Sequence, residues 1–157
     1  MNPAGCNRPW LICAVSFFAV VVVGLALMVH AIPTQSGLNS VEDKQRISSH
    51  VLDISNGNPA KNVRLVSFKY NESTKKWVEL AETETDENGR VYSVHPGLAL
   101  DTGIFKITFH TEEYYQALNQ TTFYPQVDVV FRVTDPNLKL HVPLTLSNYG
   151  YSTYKGQ

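Results

Sequence analysis

Cysteine is scarce in this sequence: the 157 residues contain two, Cys6 and Cys13, and both lie within the first 31 positions. The rest of the chain therefore has no thiol, which excludes a disulfide framework, a zinc site with cysteine ligands and a cysteine nucleophile there. The sequence also lacks a helical His-x-x-x-His pair, a Gly-x-Ser-x-Gly elbow and a phosphate-binding loop. We therefore expect neither a metal ion nor a cofactor.

An excess of positive charge is also absent. The formal net charge is −1, and beyond residue 31 the chain has 12 lysines and arginines against 14 aspartates and glutamates. Binding to a phosphate backbone requires clustered basic side chains. A nucleic-acid partner is therefore not expected.

A long hydrophobic run spans residues 10–29, which carry no charge and follow Arg8. Its length suits a membrane anchor, which needs about 20 apolar residues, while small residues ending at Ala31 suit the cleavage site of a signal peptide. We predict a signal peptide or signal anchor over residues 1–31 and a polar linker over residues 32–45. Both alternatives place the remaining chain on the non-cytoplasmic side, because the positive charge precedes the run.

The two alternatives differ in where the protein ends up. Cleavage gives a secreted protein, which Ala31 and the polar residues after it favour. Retention gives a membrane-anchored protein, so a membrane partner is expected only if the leader is uncleaved.

Residues 46–157 have the pattern of one all-β domain. Val66, Phe68 and Tyr70 occupy every second position, which indicates a half-buried strand, and turn residues such as Asn88-Gly89 separate the runs. Eight such runs predict a β-sandwich. They span residues 47–54, 63–70, 77–83, 91–95, 104–110, 127–134, 138–146 and 149–154.

One segment breaks the strand pattern. Thr111 is an N-cap type of residue, Glu112 and Glu113 place two acids in a first helical turn, and helix-tolerant residues follow. We therefore predict a short helix over residues 112–119.

Two triplets, Asn71-Glu-Ser and Asn119-Gln-Thr, fit the acceptor pattern for N-glycosylation. Such short patterns arise by chance, and they gain weight here because the leader indicates a secretory route. Asn71, which we expect in a hairpin turn, is the stronger candidate.

Four histidines follow the leader: His50, His95, His110 and His141. A histidine on a strand is more often a surface or satisfied core residue than a catalyst. Composition and spacing therefore indicate a secreted or anchored β-sandwich without defining an activity.

Several short motifs nevertheless occur together in one order. They are Ser-His-Val-Leu-Asp at 49–53, Gly-x-Pro-Ala at 57–60, Asp-x-Asn-Gly-Arg at 86–90, His-Val-Pro-Leu at 141–144 and Leu-Ser-x-Tyr-Gly-Tyr-Ser-Thr-Tyr at 146–154. In this order they resemble the 5-hydroxyisourate hydrolases, the transthyretin-like enzymes of urate breakdown. The resemblance implies an eight-stranded transthyretin-like β-sandwich with one short helix, and a homotetramer with a channel at its centre.

The resemblance also implies the catalytic residues. His50, Arg90 and His141 match the family's positions in that channel, whereas His95 and His110 match none. The implied reaction opens the lactam of 5-hydroxyisourate with water. One histidine can accept a proton from water and a second can donate to the leaving nitrogen, while an arginine binds the oxygen on which charge develops. Which histidine is the base stays open.

Tyr154, Lys155, Gly156 and Gln157 match the family's terminal Tyr-Arg-Gly-Ser, which folds back into the channel. The resemblance implies that they bind substrate, with Tyr154 burying its ring. Lys155 keeps the positive charge of arginine without its planar fork, and Gln157 replaces a hydroxyl by an amide. These departures leave open an alternative, a secreted transthyretin-like small-ligand carrier without catalytic activity, which the fold alone does not exclude.

Overall fold

β-structure dominates the part of the chain that the computed structural model describes, residues 47–156. The predicted leader over residues 1–31, the linker over residues 32–45 and Gln157 lie outside the described residues. Within the described range, no helix is long and apolar enough to cross a bilayer.

Ten strands and one helix make up the regular structure of residues 47–156. In chain order they are β1 (Ile47–Asp53), β2 (Asn58–Pro59), β3 (Arg64–Asn71), β4 (Lys76–Glu84), β5 (Arg90–Val91), β6 (Gly103–Phe109), α1 (Thr111–Ala117), β7 (Val127–Val133), β8 (Leu140–His141), β9 (Leu144–Ser147) and β10 (Gly150–Thr153).

The strands form two sheets. One is antiparallel with the order β4-β3-β6-β7. In the other, β1 pairs in parallel with β8 and β9 and antiparallel with β2 and β5, while β9 also pairs with β10. The prediction of an all-β, transthyretin-like sandwich with one short helix is confirmed.

β1 shows how the sequence divides core from surface. Side chains alternate between the two faces of a strand, and every second residue of β1 is buried: Ile47, Ser49, Val51 and Asp53. Ile47 and Val51 belong to the same hydrophobic core as Phe109 of the other sheet, and full burial of such an apolar side chain contributes about 1.5–3 kcal/mol. The opposite face of β1 is thereby left available to carry polar side chains.

The last residue of β1, Asp53, is buried and serves the fold. Its carboxylate accepts hydrogen bonds from the Ser55 N–H (2.9 Å), the Asn56 Nδ2 (3.0 Å) and the Tyr114 hydroxyl of α1 (3.1 Å). A buried charge is tolerated when it is fully hydrogen-bonded. Asp53 therefore fixes the loop after β1 to α1.

Most predicted elements differ from the structure by one or two residues at their ends, and two predicted runs differ by more. The run 138–146 is two strands, because Pro143 has no N–H to donate to a ladder. Of the run 91–95 only Val91 is in a strand, because His95 turns inward to bond the backbone. The helix predicted over residues 112–119 begins and ends one and two residues earlier, at Thr111 and Ala117.

Candidate active site

The outer face of β1 brings the three predicted catalytic residues together. His50 lies opposite Arg90 in the antiparallel pairing with β5, and Ser48 lies opposite His141 in the parallel pairing with β8. Ser48 and His50 are two positions apart and share a face, and residues directly opposite in an antiparallel pair have Cβ atoms about 4.5–5.5 Å apart. His50, Arg90 and His141 therefore form one cluster on the solvent side of this sheet.

A tight turn positions Arg90 in this cluster. The Asp86 carboxylate accepts the N–H groups of Asn88 and Arg90, both at 2.8 Å. Gly89 has a φ of +70°, and a Cβ built there would lie 2.4 Å from the Val51 carbonyl oxygen. Only glycine fits such a close backbone approach. The Asp-x-Asn-Gly-Arg motif therefore forms the tight turn that places Arg90 beside β1.

His50 is half-buried, and its Nε2 is buried without a hydrogen-bond partner among residues 47–156. Burial lowers the pKa of His50, and the nearby Arg90 lowers it further, because both disfavour the charged ring. A hydrogen bond with the Asn88 backbone and the charge of Asp86 act in the opposite direction. The net direction is downward, so the ring is neutral at pH 7 and can accept a proton.

His141 is held by a residue that the sequence did not single out. Its Nδ1 lies 2.9 Å from the Ser48 Oγ; when the Ser48 hydroxyl donates its one proton to the Leu140 carbonyl at 3.3 Å, the Nδ1–H of His141 donates to Oγ. Burial lowers the pKa of His141, and His50 and Arg90 lower it further. The hydroxyl of Ser48 can fix one tautomer of a neutral ring. The sequence signal for Ser48 was its position two residues before His50, because residues two apart on a strand have their side chains on one face.

The C-terminal tail packs against the His141 ring. The Gly156 N–H donates to the His141 carbonyl at 2.8 Å, and a Cβ built on Gly156 would lie 2.6 Å from His141 Cδ2. Any other residue at position 156 therefore requires the ring or the tail to move. The tail is held by this contact, and the expectation that Tyr154 buries its ring is wrong for the single chain, where that side chain is 64% exposed.

His141 lies between two cavities. One of about 270 Å³ is lined by Ser48, Arg90 and His141, among others. The other, of about 380 Å³, is lined by His141, Tyr154 and Lys155 together with residues of β7. Two of the predicted catalytic residues, Arg90 and His141, and two of the predicted tail residues, Tyr154 and Lys155, therefore border cavities that share His141, whereas His50 lines neither cavity.

His95 and His110 lie outside this cluster, as expected. His95 is buried; its Nε2 accepts the Ile47 N–H at 3.1 Å and its Nδ1 donates to the Leu98 carbonyl at 2.9 Å. His110 precedes α1, with Nδ1 3.7 Å from a Glu113 carboxylate oxygen. Both rings serve the fold. Within residues 47–156, no group of three or more His, Cys, Asp or Glu side chains is arranged to hold a metal ion.

A two-sheet sandwich of this topology, with one short helix, is the architecture of a transthyretin-like protein. The chain belongs to the HIUase/Transthyretin family, whose model matches residues 47–156. The resemblance inferred from the short motifs is confirmed.

Named relatives support the same conclusion. The chain is 41% identical over 140 residues to a probable 5-hydroxyisourate hydrolase of Caenorhabditis elegans, covering 89% of this chain and 95% of that relative. It is 36% identical over 110 residues to the 5-hydroxyisourate hydrolase of Mus musculus, covering 70% of this chain and 93% of the mouse protein.

Solved structures show the same fold. Klebsiella pneumoniae 5-hydroxyisourate hydrolase matches with a TM-score of 0.62 at 25% identity, over 72% of this chain and 99% of that chain. Sea bream transthyretin in complex with thyroxine matches with a TM-score of 0.65 at 23% identity, over 70% of this chain and 93% of that chain. The second match is a likeness of fold alone.

Proposed function

We propose that this protein hydrolyses 5-hydroxyisourate, opening its lactam ring in urate degradation. The observation that carries the proposal is the cluster of His50, Arg90 and His141 on the outer face of β1. The relatives named as 5-hydroxyisourate hydrolases support a hydrolase over a carrier without catalytic activity.

His50 is the proposed general base. Its buried Nε2 has no hydrogen-bond partner among the described residues, and its lowered pKa keeps the ring neutral. As water adds to the lactam carbonyl, one proton passes to Nε2; when the C–N bond breaks, that proton passes to the leaving nitrogen. Because the pKa of His141 is lowered as well, its ring is mainly neutral at pH 7 and carries no extra proton to donate. Neutral His141, oriented by Ser48, hydrogen-bonds the water or the substrate.

Arg90 supplies the fixed positive charge of the proposed site. An arginine guanidinium offers planar N–H donors in a fixed fork. Donors that already face the oxygen on which charge develops stabilise the transition state without reorganisation. The turn at Asp86–Arg90 fixes the backbone of Arg90 beside His50, which supports this role.

The direct test is an assay of the purified protein with freshly generated 5-hydroxyisourate. We expect loss of substrate absorbance faster than in buffer, and a product that is heavier by one water molecule. The His50→Ala protein is the matched control. Substrate decay at the buffer rate in both proteins would contradict the proposed activity.

Ser48 is the proposed positioning residue for His141. Ser48→Ala should lower kcat/KM about three- to tenfold, because one hydrogen bond contributes about 0.5–1.5 kcal/mol. It should also shift the acidic limb of the pH–rate profile, which a purely structural role would not do. Ser48→Thr retains a hydroxyl and should restore both.

Melting temperatures of the two Ser48 variants provide the control for folding. An unchanged kcat/KM and an unchanged pH profile in the Ser48→Ala protein would show that Ser48 does not position His141.

The site is proposed to be completed in a homotetramer. β7 and β10 are edge strands, and large exposed hydrophobic side chains lie on or near them: Phe123, Val130, Tyr149 and Tyr151. Exposed edges bearing apolar surface are interaction sites. The other edge of the four-stranded sheet, β4, is protected by exposed charged residues such as Lys76 and Glu84. Association through β7 and β10 would cover the cavity that Tyr154 and Lys155 line.

Light scattering on the eluting protein tests the tetramer. The Val130→Lys variant should elute as a smaller species and lose activity, because a buried, unpaired lysine opposes association. Val78→Lys, at an exposed valine of β4, should remain tetrameric. A monomeric wild-type protein at micromolar concentration would refute the shared-channel arrangement.

The domain is also proposed to lie outside the cytoplasm, secreted or membrane-anchored. The support is the uncharged run at residues 10–29 after Arg8 in the sequence. Protection of the chain from added protease inside microsomes tests this location.

A further inference from the structure

The hairpin between β3 and β4 contains one of the two glycosylation triplets. Asn71 ends β3 and is exposed, and its Oδ1 accepts the N–H groups of Ser73 and Thr74, each at 3.0 Å. This Asx turn bends the triplet so that the serine of the acceptor pattern lies on the same turn as the asparagine amide. The carbonyl half of the amide is therefore engaged, and Nδ2 makes no hydrogen bond within residues 47–156.

Open space adjoins Asn71. It lines a cavity of about 480 Å³ together with Val78 and Leu80 of β4 and Ile104 of β6. Asn71 is exposed and borders open space, so a sugar attached to Nδ2 need not displace a core residue. The hairpin belongs to the four-stranded sheet, whereas the catalytic cluster lies on β1, β5 and β8 of the other sheet. A glycan here leaves the outer face of β1 free.

The second triplet is built differently. Asn119 has a φ of +56° and its N–H donates to the Gln116 carbonyl at 2.9 Å, so it terminates α1. The two residues after it are tied to Asn148, whose Nδ2 donates to Gln120 Oε1 at 3.0 Å and to the Thr121 carbonyl at 2.8 Å. These contacts hold the triplet against the β9–β10 turn.

We infer that Asn71, and not Asn119, carries an N-linked glycan. The co-reactant is an oligosaccharide joined to a membrane lipid through a diphosphate. Asn71 Nδ2 forms a bond to the anomeric carbon of the first sugar, and the bond from that carbon to the diphosphate oxygen breaks. The lipid diphosphate leaves with the electron pair, and one amide proton is lost to base. The inference rests on the proposed non-cytoplasmic location and is independent of the hydrolase activity.

Translation of the full chain with and without microsomes tests the inference. A protease-protected chain should show one mobility shift that an amide-cleaving glycosidase removes. Asn71→Gln and Ser73→Ala should each abolish the shift, whereas the matched Ser73→Thr and Asn119→Gln variants should keep it, because only the first pair destroys the acceptor at position 71.

The outcomes separate the two proposals. A protected chain without a shift, or a shift that survives Asn71→Gln, overturns the glycan and leaves the location intact. A chain that stays accessible to protease overturns both the location and the glycan.

Discussion

Replacement of His50 by alanine is expected to lower kcat/KM for 5-hydroxyisourate at least about a hundredfold, the scale of losing a general acid–base group. His141→Ala and Arg90→Ala should each cost a similar factor, since the three side chains act on one substrate from one face of β1. Initial rates on proteins of matched concentration give the comparison.

Two further variants control this experiment. Arg90→Lys keeps the charge without the planar fork and should fall between Arg90 and Arg90→Ala. His95→Ala removes a buried ring that bonds only backbone groups; it should lower the free energy of unfolding by about 1–3 kcal/mol and leave the rate constants of the folded fraction near wild type. Equal losses of activity at all four positions would show that folding is being measured, and that the site is elsewhere.

Gly156→Ala is expected to lower kcat/KM by about a hundredfold while the melting temperature stays near that of the wild-type protein. The added methyl group would lie 2.6 Å from His141 Cδ2 and 3.0 Å from His141 Cβ, so the imidazole or the tail must shift. A displacement of about 1 Å at a catalytic group can cost this factor. Because Gly156 is not one of the residues of the hydrophobic core, the core is not expected to loosen.

Gly150→Ala is the matched control for Gly156→Ala. A Cβ at Gly150 would lie 3.5 Å from Ser147 Oγ, which is an ordinary contact, and Gly150 belongs to the same C-terminal segment. Its alanine variant should keep full activity. If both alanine variants retain wild-type rates, the tail does not set the position of His141.

Local patterns predicted the parts of the fold that depend on neighbouring residues. The alternation in β1, the turn at Asn88-Gly89 and the acids of the first turn of α1 each gave an element close to its true bounds. The split of the run 138–146 at Pro143 was also readable in principle, because proline cannot continue an internal ladder.

Those local patterns could not predict which distant strands pair with each other. Nothing in the spacing of His50, Arg90 and His141 places them on one face, since this depends on which strands become neighbours of β1; the family resemblance brought them together. For the same reason, local patterns did not indicate the role of Ser48, which depends on its contact with His141 in β8. They also did not indicate that His95 accepts a hydrogen bond from Ile47 at the start of β1.

The parallel pairing of β1 with β8 also determines when the protein becomes active during its synthesis. Ser48 and His141 are separated by 93 positions, and the entropy of closing so long a loop must be overcome before their contact stabilises anything. Folds dominated by such distant pairings form slowly, over about milliseconds to seconds. The β3–β4 hairpin and the pairing of β1 with β2 join residues that are close in sequence, whereas the pairing of β1 with β8 and β9 must wait until those strands have been synthesised. We therefore expect the protein to become catalytically active only late in its synthesis, after β8 has paired with β1.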